Sequence, residues 1–130
     1  MFESEELRAD TIDIAIVTNY LPEQSVPEEQ RFVFSYTITI KNTGTQAAQL
    51  ISRSWLITNA NGETSEVKGD GVIGKQPRIQ PDTSFTYTSG CILETPIGTM
   101  QGFYQMQNSA KKPFSVEIPV FRLAIPNILN

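Results

Sequence analysis

Between Arg31 and Asn42 the chain reads RFVFSYTITIKN, an almost unbroken alternation of residue types. Phe32, Phe34, Tyr36, Ile38 and Ile40 take every second position, with Val33, Ser35, Thr37, Thr39 and Lys41 between them. Successive strand residues point to opposite faces, so one face here is aromatic and aliphatic and the other mostly hydroxyl-bearing. Its β-branched and aromatic content disfavours a helix. This segment is expected to be the central strand of a sheet packed on one side.

The rest of the chain continues the pattern. Residues 11–18 set Ile12, Ile14 and Ile16 on one face, and Tyr20 to Gln30, with two prolines, reads as a loop. After the turn signal Asn42-Thr43-Gly44-Thr45, residues 49–58 carry Leu50, Ile51, Trp55, Leu56 and Ile57 on both faces, a strand covered in part on each side. Asn59-Ala60-Asn61-Gly62 follows. Asn-Gly between strand patterns signals a hairpin because both residues tolerate positive φ, so residues 63–68 should return as its second arm. Phe85, Tyr87 and Cys91 mark a strand over 84–93, and Thr95-Pro96-Ile97-Gly98 a turn. Met100, Gly102, Tyr104 and Met106 mark a strand over 99–107, opposed by Thr99, Gln101, Phe103, Gln105 and Gln107. Phe114, Val116, Ile118 and Val120 form the last strand, which Pro119 assigns to a sheet edge because it withholds a ladder donor. The apolar segment 121–130 is expected to lie extended on the body. About seven strands and no helix predict an all-β fold, a sandwich of two antiparallel sheets, and Trp55 on the third strand suits an immunoglobulin-like arrangement.

A length of 130 residues supports one hydrophobic core, assigned to 11–126, with a flexible acidic N-terminus at 1–10 and a tail at 127–130. Cys91 is the only cysteine, so no internal disulfide forms, which fits a reducing compartment. The first ten residues lack the basic and then apolar sections of a secretory signal, and no apolar run reaches the roughly 20 residues of a membrane helix. The cytoplasm is the expected location, with no membrane insertion. Residues 1–30 hold eight acids and one base, and residues 31–130 six acids and nine bases. That surplus of three positive charges is too small and too spread out to indicate nucleic acid.

The sequence contains no histidine, which removes the usual general base near neutral pH, the commonest zinc ligand and every histidine-dependent triad. Cys91 falls on the inward side of its strand and reads as a small core residue rather than a reactive thiol. Among the acids beyond residue 30, only Glu66 and Asp70 near Asp82 could supply converging carboxylates for a hard cation. No cofactor is expected and no metal ligands are assigned.

The sharper feature is Gly69-Asp70-Gly71-Val72-Ile73-Gly74, a GxGxxG within the long loop 69–82. In dinucleotide folds such glycines join a strand to a helix whose N-terminus faces pyrophosphate. Pro77 opposes a helix running straight on, so the motif lacks that context. One reading is a crossing that needs positive φ. The other is a cup of backbone N–H groups for an anion, formed at Gly69, Gly71 and Gly74 with Lys75 and Arg78 beside it and Lys68 nearby.

RFVFSYTITIKNTG, SRSWLITNANGETSEVKGDGVIGKQP, YTSGCILETPIGTMQGFYQM and IPVFRLAIP together resemble the ApaG family over about residues 12–126. The resemblance implies an immunoglobulin- or fibronectin-III-like sandwich in a cytoplasmic bacterial protein, with a link to cobalt resistance and magnesium efflux. It also implies partner recognition, since related domains occur in eukaryotic F-box proteins and a polymerase-interacting protein. The family's GxGxxG maps onto Gly69, Gly71 and Gly74. With nothing to span a bilayer, a role in cation efflux would be indirect. The function expected is therefore a non-catalytic module that binds a protein partner. The alternative is binding of phosphate, pyrophosphate or a nucleotide at the glycine loop. Hydrolysis of a phosphoanhydride ranks well below both. The edge strand and residues 121–129 also offer a route to a homodimer.

Overall fold

The computed structural model describes residues 11–127. The central segment is strand β2 (Phe32–Asn42), and all five of its alternating apolar residues are buried. It is flanked by β1 (Ile12–Tyr20) and β6 (Ser84–Leu93) in a three-stranded antiparallel sheet of order β1-β2-β6. The facing sheet has the order β4-β3-β7-β8, from β3 (Ala48–Asn59), β4 (Thr64–Asp70), β7 (Ile97–Asn108) and β8 (Pro113–Ala124). A two-residue strand, β5 (Arg78–Ile79), pairs with the start of β3. Among the described residues the sandwich is thus seven long strands and one short one.

Trp55 is 3 % exposed between the sheets. Its ring meets Tyr36 of the opposite sheet edge-on at 5.5 Å, and Phe121 and Tyr104 of its own sheet at 5.8 and 6.5 Å. Edge-to-face pairs of this kind add about 0.5–1.5 kcal/mol each to simple burial.

Two bulges explain where simple alternation misplaces residues. In β3, Leu50 pairs with Met106 but Ser52 with Gln105, leaving Ile51 unopposed. Ala48 and Leu50 point inward before that bulge, whereas Trp55 does so after it, so the inward set changes from even to odd numbers. In β8, Met100 pairs with Phe121 and Gly102 with Ile118, so Pro119 and Val120 together face Gln101. Val116 and Ile118 are buried before this bulge and Leu123 after it, while Val120, expected inward, is 58 % exposed. Residues 121–124 are strand rather than a tail laid on the body. Pro119 does mark an edge: among the described residues β8 pairs only with β7.

Three smaller expectations also change. Ile97 and Gly98 already belong to β7. Residues 22–24 and 27–29 form short 3₁₀ turns, and Val33 donates to Ser25 Oγ (2.9 Å) under them, which buries Val33 on the polar face of β2. The Asn59–Gly62 hairpin forms, but of its Asn-Gly pair only Gly62 takes positive φ (83°), giving a three-residue loop. The segments 1–10 and 128–130 lie outside the described residues, and no helix among the described residues is long and apolar enough to cross a membrane.

Candidate functional site

The glycine loop leaves β4 at Asp70 and returns to the sheet at β5. Val72, 1 % exposed, plugs its base into the core. The Val72 N–H donates to the Lys75 carbonyl (2.8 Å) and the Lys75 N–H to the Val72 carbonyl (2.9 Å), closing a two-residue hairpin at Ile73-Gly74. Both central residues have positive φ, 44° at Ile73 and 77° at Gly74, as the turns that match strand twist require. Ile73 is 52 % exposed at the tip.

Strand β3 holds this loop along one side. Gly71 N–H donates to the Ile51 carbonyl (2.8 Å), Gln76 Nε2 to the same carbonyl (2.9 Å), and Leu50 N–H to the Pro77 carbonyl (3.0 Å). Arg53 Nη1 donates to the carbonyls of Asp70 (3.1 Å) and Gly71 (2.9 Å). Its guanidinium clamps the point where β4 becomes loop.

The three motif glycines have three different reasons. A Cβ on Gly69 would lie 2.9 Å from Arg53 Nη1, so Gly69 leaves room for the clamp. One on Gly71 would sit 2.2 Å from the Lys75 carbonyl oxygen, at φ 62°, where no side chain fits. Gly74 meets nothing within 4 Å and supplies only positive φ. No helix follows, as Pro77 indicated. The loop brings Gly71, Gly74 and Lys75 together, Gly69 lies just before it in β4, and Arg78 lies beyond it in β5 opposite Gln49, with Lys75 and Arg78 exposed. The N–H groups of Gly71, Val72 and Lys75 are already spent within the fold.

The remaining candidates stay apart. Glu66 lies 3.9 Å from Lys68 on β4, Asp70 ends that strand, and Asp82 is in the turn before β6. Among the described residues no three of His, Cys, Asp or Glu could hold a metal ion together. Cys91 is buried, and burial pushes its thiol up to about 11, which keeps it protonated at neutral pH.

Sequence reasoning missed two further features. A groove of about 740 Å³ crosses the outer face of the four-stranded sheet. Phe103, 43 % exposed, lies there with Ser54 and Glu117 as cross-strand neighbours, and Leu56 lies between Gln101 and Glu66. The signal was a lone aromatic among Gln101, Gln105 and Gln107. A slot of about 280 Å³, lined by Tyr36, Arg53, Trp55, Val67, Ile92 and Met100 among others, opens between β4 and β6. It depends on how the two sheets overlap, which no local pattern encodes.

Fold and site together define a small two-sheet β-sandwich domain whose distinguishing part is a glycine-punctuated hairpin clamped by an arginine. The chain belongs to the ApaG domain family, whose model matches residues 22–108. It is 52 % identical to Protein ApaG of Sodalis glossinidius over 124 residues, 95 % of this chain and 99 % of that one. It is 57 % identical to Protein ApaG of Erwinia tasmaniensis over 112 residues, 86 % of this chain and 90 % of that one. The crystal structure of the putative ApaA protein from Bordetella pertussis superposes with a TM-score of 0.88 at 47 % identity, covering 90 % of this chain and 95 % of that chain.

Proposed function

We propose that the chain is a non-catalytic binding module that contacts a protein partner through the Val72–Lys75 hairpin. The observation that carries this reading is Ile73. A β-branched residue at positive φ costs about 1–2 kcal/mol, and strain of this kind is characteristic of binding sites. Here it presents an apolar side chain to water at the tip of a loop whose own hydrogen bonds hold it rigid. A partner pocket that takes up Ile73 removes that exposure without any ordering of the loop. Lys75 and Arg78 alongside favour a pocket with an acidic rim. The compartment assigned is the cytoplasm. The family's association with cobalt resistance and magnesium efflux then acts through the partner, not through transport by this chain.

Crosslinking in cells with wild type and Ile73→Asn tests the reading, since asparagine suits the turn and lacks the apolar surface. Loss of a captured protein with the variant supports it, and identical captured sets reject it. Titration with inorganic pyrophosphate covers the alternative. Amide shifts at Gly71, Gly74 and Lys75 at millimolar ligand would move the assignment to a phosphate site.

A further inference from the structure

We infer that β4 is a self-pairing edge, along which a second copy of this chain adds antiparallel to extend the four-stranded sheet. This surface is separate from the Ile73 tip and does not depend on the function proposed for it. Among the described residues β4 pairs only with β3, and it carries no proline or bulge. Its hydrogen bonding is framed by Asn59 N–H to the Glu63 carbonyl at one end and Gly71 N–H to the Ile51 carbonyl at the other. In an antiparallel ladder bonded pairs recur every second residue, so odd-numbered residues of β4 bond to β3. The backbone groups of Thr64, Glu66 and Lys68 therefore point away from the sheet, as does the Asp70 N–H, while the Asp70 carbonyl accepts from Arg53.

Charges on an edge strand ordinarily discourage pairing. Here their order is self-complementary. A two-fold axis through Val67 sets Glu66 opposite Lys68 of the second copy, and Lys68 opposite Glu66 of the second copy. Those same residues carry the outward backbone groups, so each opposite-charge pair is also a hydrogen-bonded pair. Both side chains are largely exposed, at 66 % and 70 %, and their 3.9 Å contact within one chain is exchanged for the pairs across the axis. Val67, 41 % exposed on the opposite face of the strand, meets Val67 of the second copy at the axis, beside the slot that both line. The contact is isologous, so it closes as a dimer and does not propagate.

The other edges fit self-pairing less well. Strand β8 has Pro113, Pro119 and a bulge, which argues against the tail-side dimer expected from sequence. Strand β1 packs against β8. Strand β6 is uncharged and offers no pairing that selects its own copy.

Sedimentation equilibrium of the full chain, with a charge-swap set, tests the inference. Wild type is expected to dimerise as concentration rises, with amide exchange slowing at Glu66, Lys68 and Asp70 but not at Val67 or Gly69. Glu66→Lys and Lys68→Glu should each weaken the dimer roughly tenfold or more, since each sets like charges across both pairs. The double variant Glu66→Lys/Lys68→Glu should restore it, and the two single variants mixed should form the heterodimer. Unchanged urea midpoints would show that the fold survives. A wild-type chain that stays monomeric at millimolar concentration, or a dimer indifferent to these swaps, overturns the inference.

Discussion

Tyr87 Oη and Tyr104 Oη lie 2.5 Å apart in the core, a hydrogen bond that ties β6 of one sheet to β7 of the other. Both residues are almost fully buried, at 5 % and 0 % exposure. With no disulfide between the sheets, this pair is the polar counterpart of the Trp55 aromatic cluster. Changing either tyrosine to phenylalanine leaves the other hydroxyl short of a buried partner, at a cost of about 1–3 kcal/mol. Replacing both removes the need for the bond. The double variant should therefore lose markedly less than the sum of the two singles, measured as urea unfolding free energies in a double-mutant cycle.

Alkaline stability follows from the same burial. Desolvation lifts Tyr87 from 10.0 to about 12 and Cys91 from 9.0 to about 11, and it raises Tyr104 and Tyr36 as well. The folded state holds these protons to higher pH than the unfolded chain does. Stability is therefore complete below about pH 9 and falls as pH rises, first through Cys91 and then, above 10, through the tyrosines. Each group contributes a slope of about 1.4 kcal/mol per pH unit while only its unfolded form is ionised. Urea midpoints should hold level from neutral pH to about 9 and decline steeply above it, with Cys91→Ala delaying the onset.

The GxGxxG glycines should separate by substitution to alanine. Gly71→Ala drives a Cβ into the Lys75 carbonyl and should cost several kcal/mol or prevent the hairpin from forming. Gly74→Ala adds only the strain of positive φ, about 1–2 kcal/mol. Gly69→Ala displaces the Arg53 guanidinium, the far end of a flexible side chain, and should cost least. Thermal unfolding of the three variants checks the order. A motif kept for phosphate contact alone has no reason to produce it.

At the hairpin tip the expectation reverses sign. Ile73→Asn replaces a strained β-branched residue with one that tolerates the left-handed region, and should stabilise the isolated chain by about 1 kcal/mol. An increase in melting temperature checks this. A stabilising change at the position proposed for partner contact would show that the native residue is not there for the fold.

Much of the architecture was legible in the residues themselves. The alternation in β2, the Asn59–Gly62 hairpin and the edge position announced by Pro119 are local, because strand side chains alternate with a period of two and proline lacks a donor. The position of Trp55 on the third strand likewise anticipated its burial. What only the tertiary structure decided was the phase of that alternation and the state of the loop. The Ile51 and Pro119–Val120 bulges each shift the pairing by one residue, so the inward positions beyond them follow from the partner strand. Likewise the glycines said that the loop needed unusual φ. Whether the loop faced outward to an anion or was held against β3 depended on the Ile51 carbonyl, which takes the Gly71 N–H, and on Leu50 and Arg53, which donate to loop carbonyls from some twenty residues away. Hydrogen bonds to a distant strand leave no trace in local sequence.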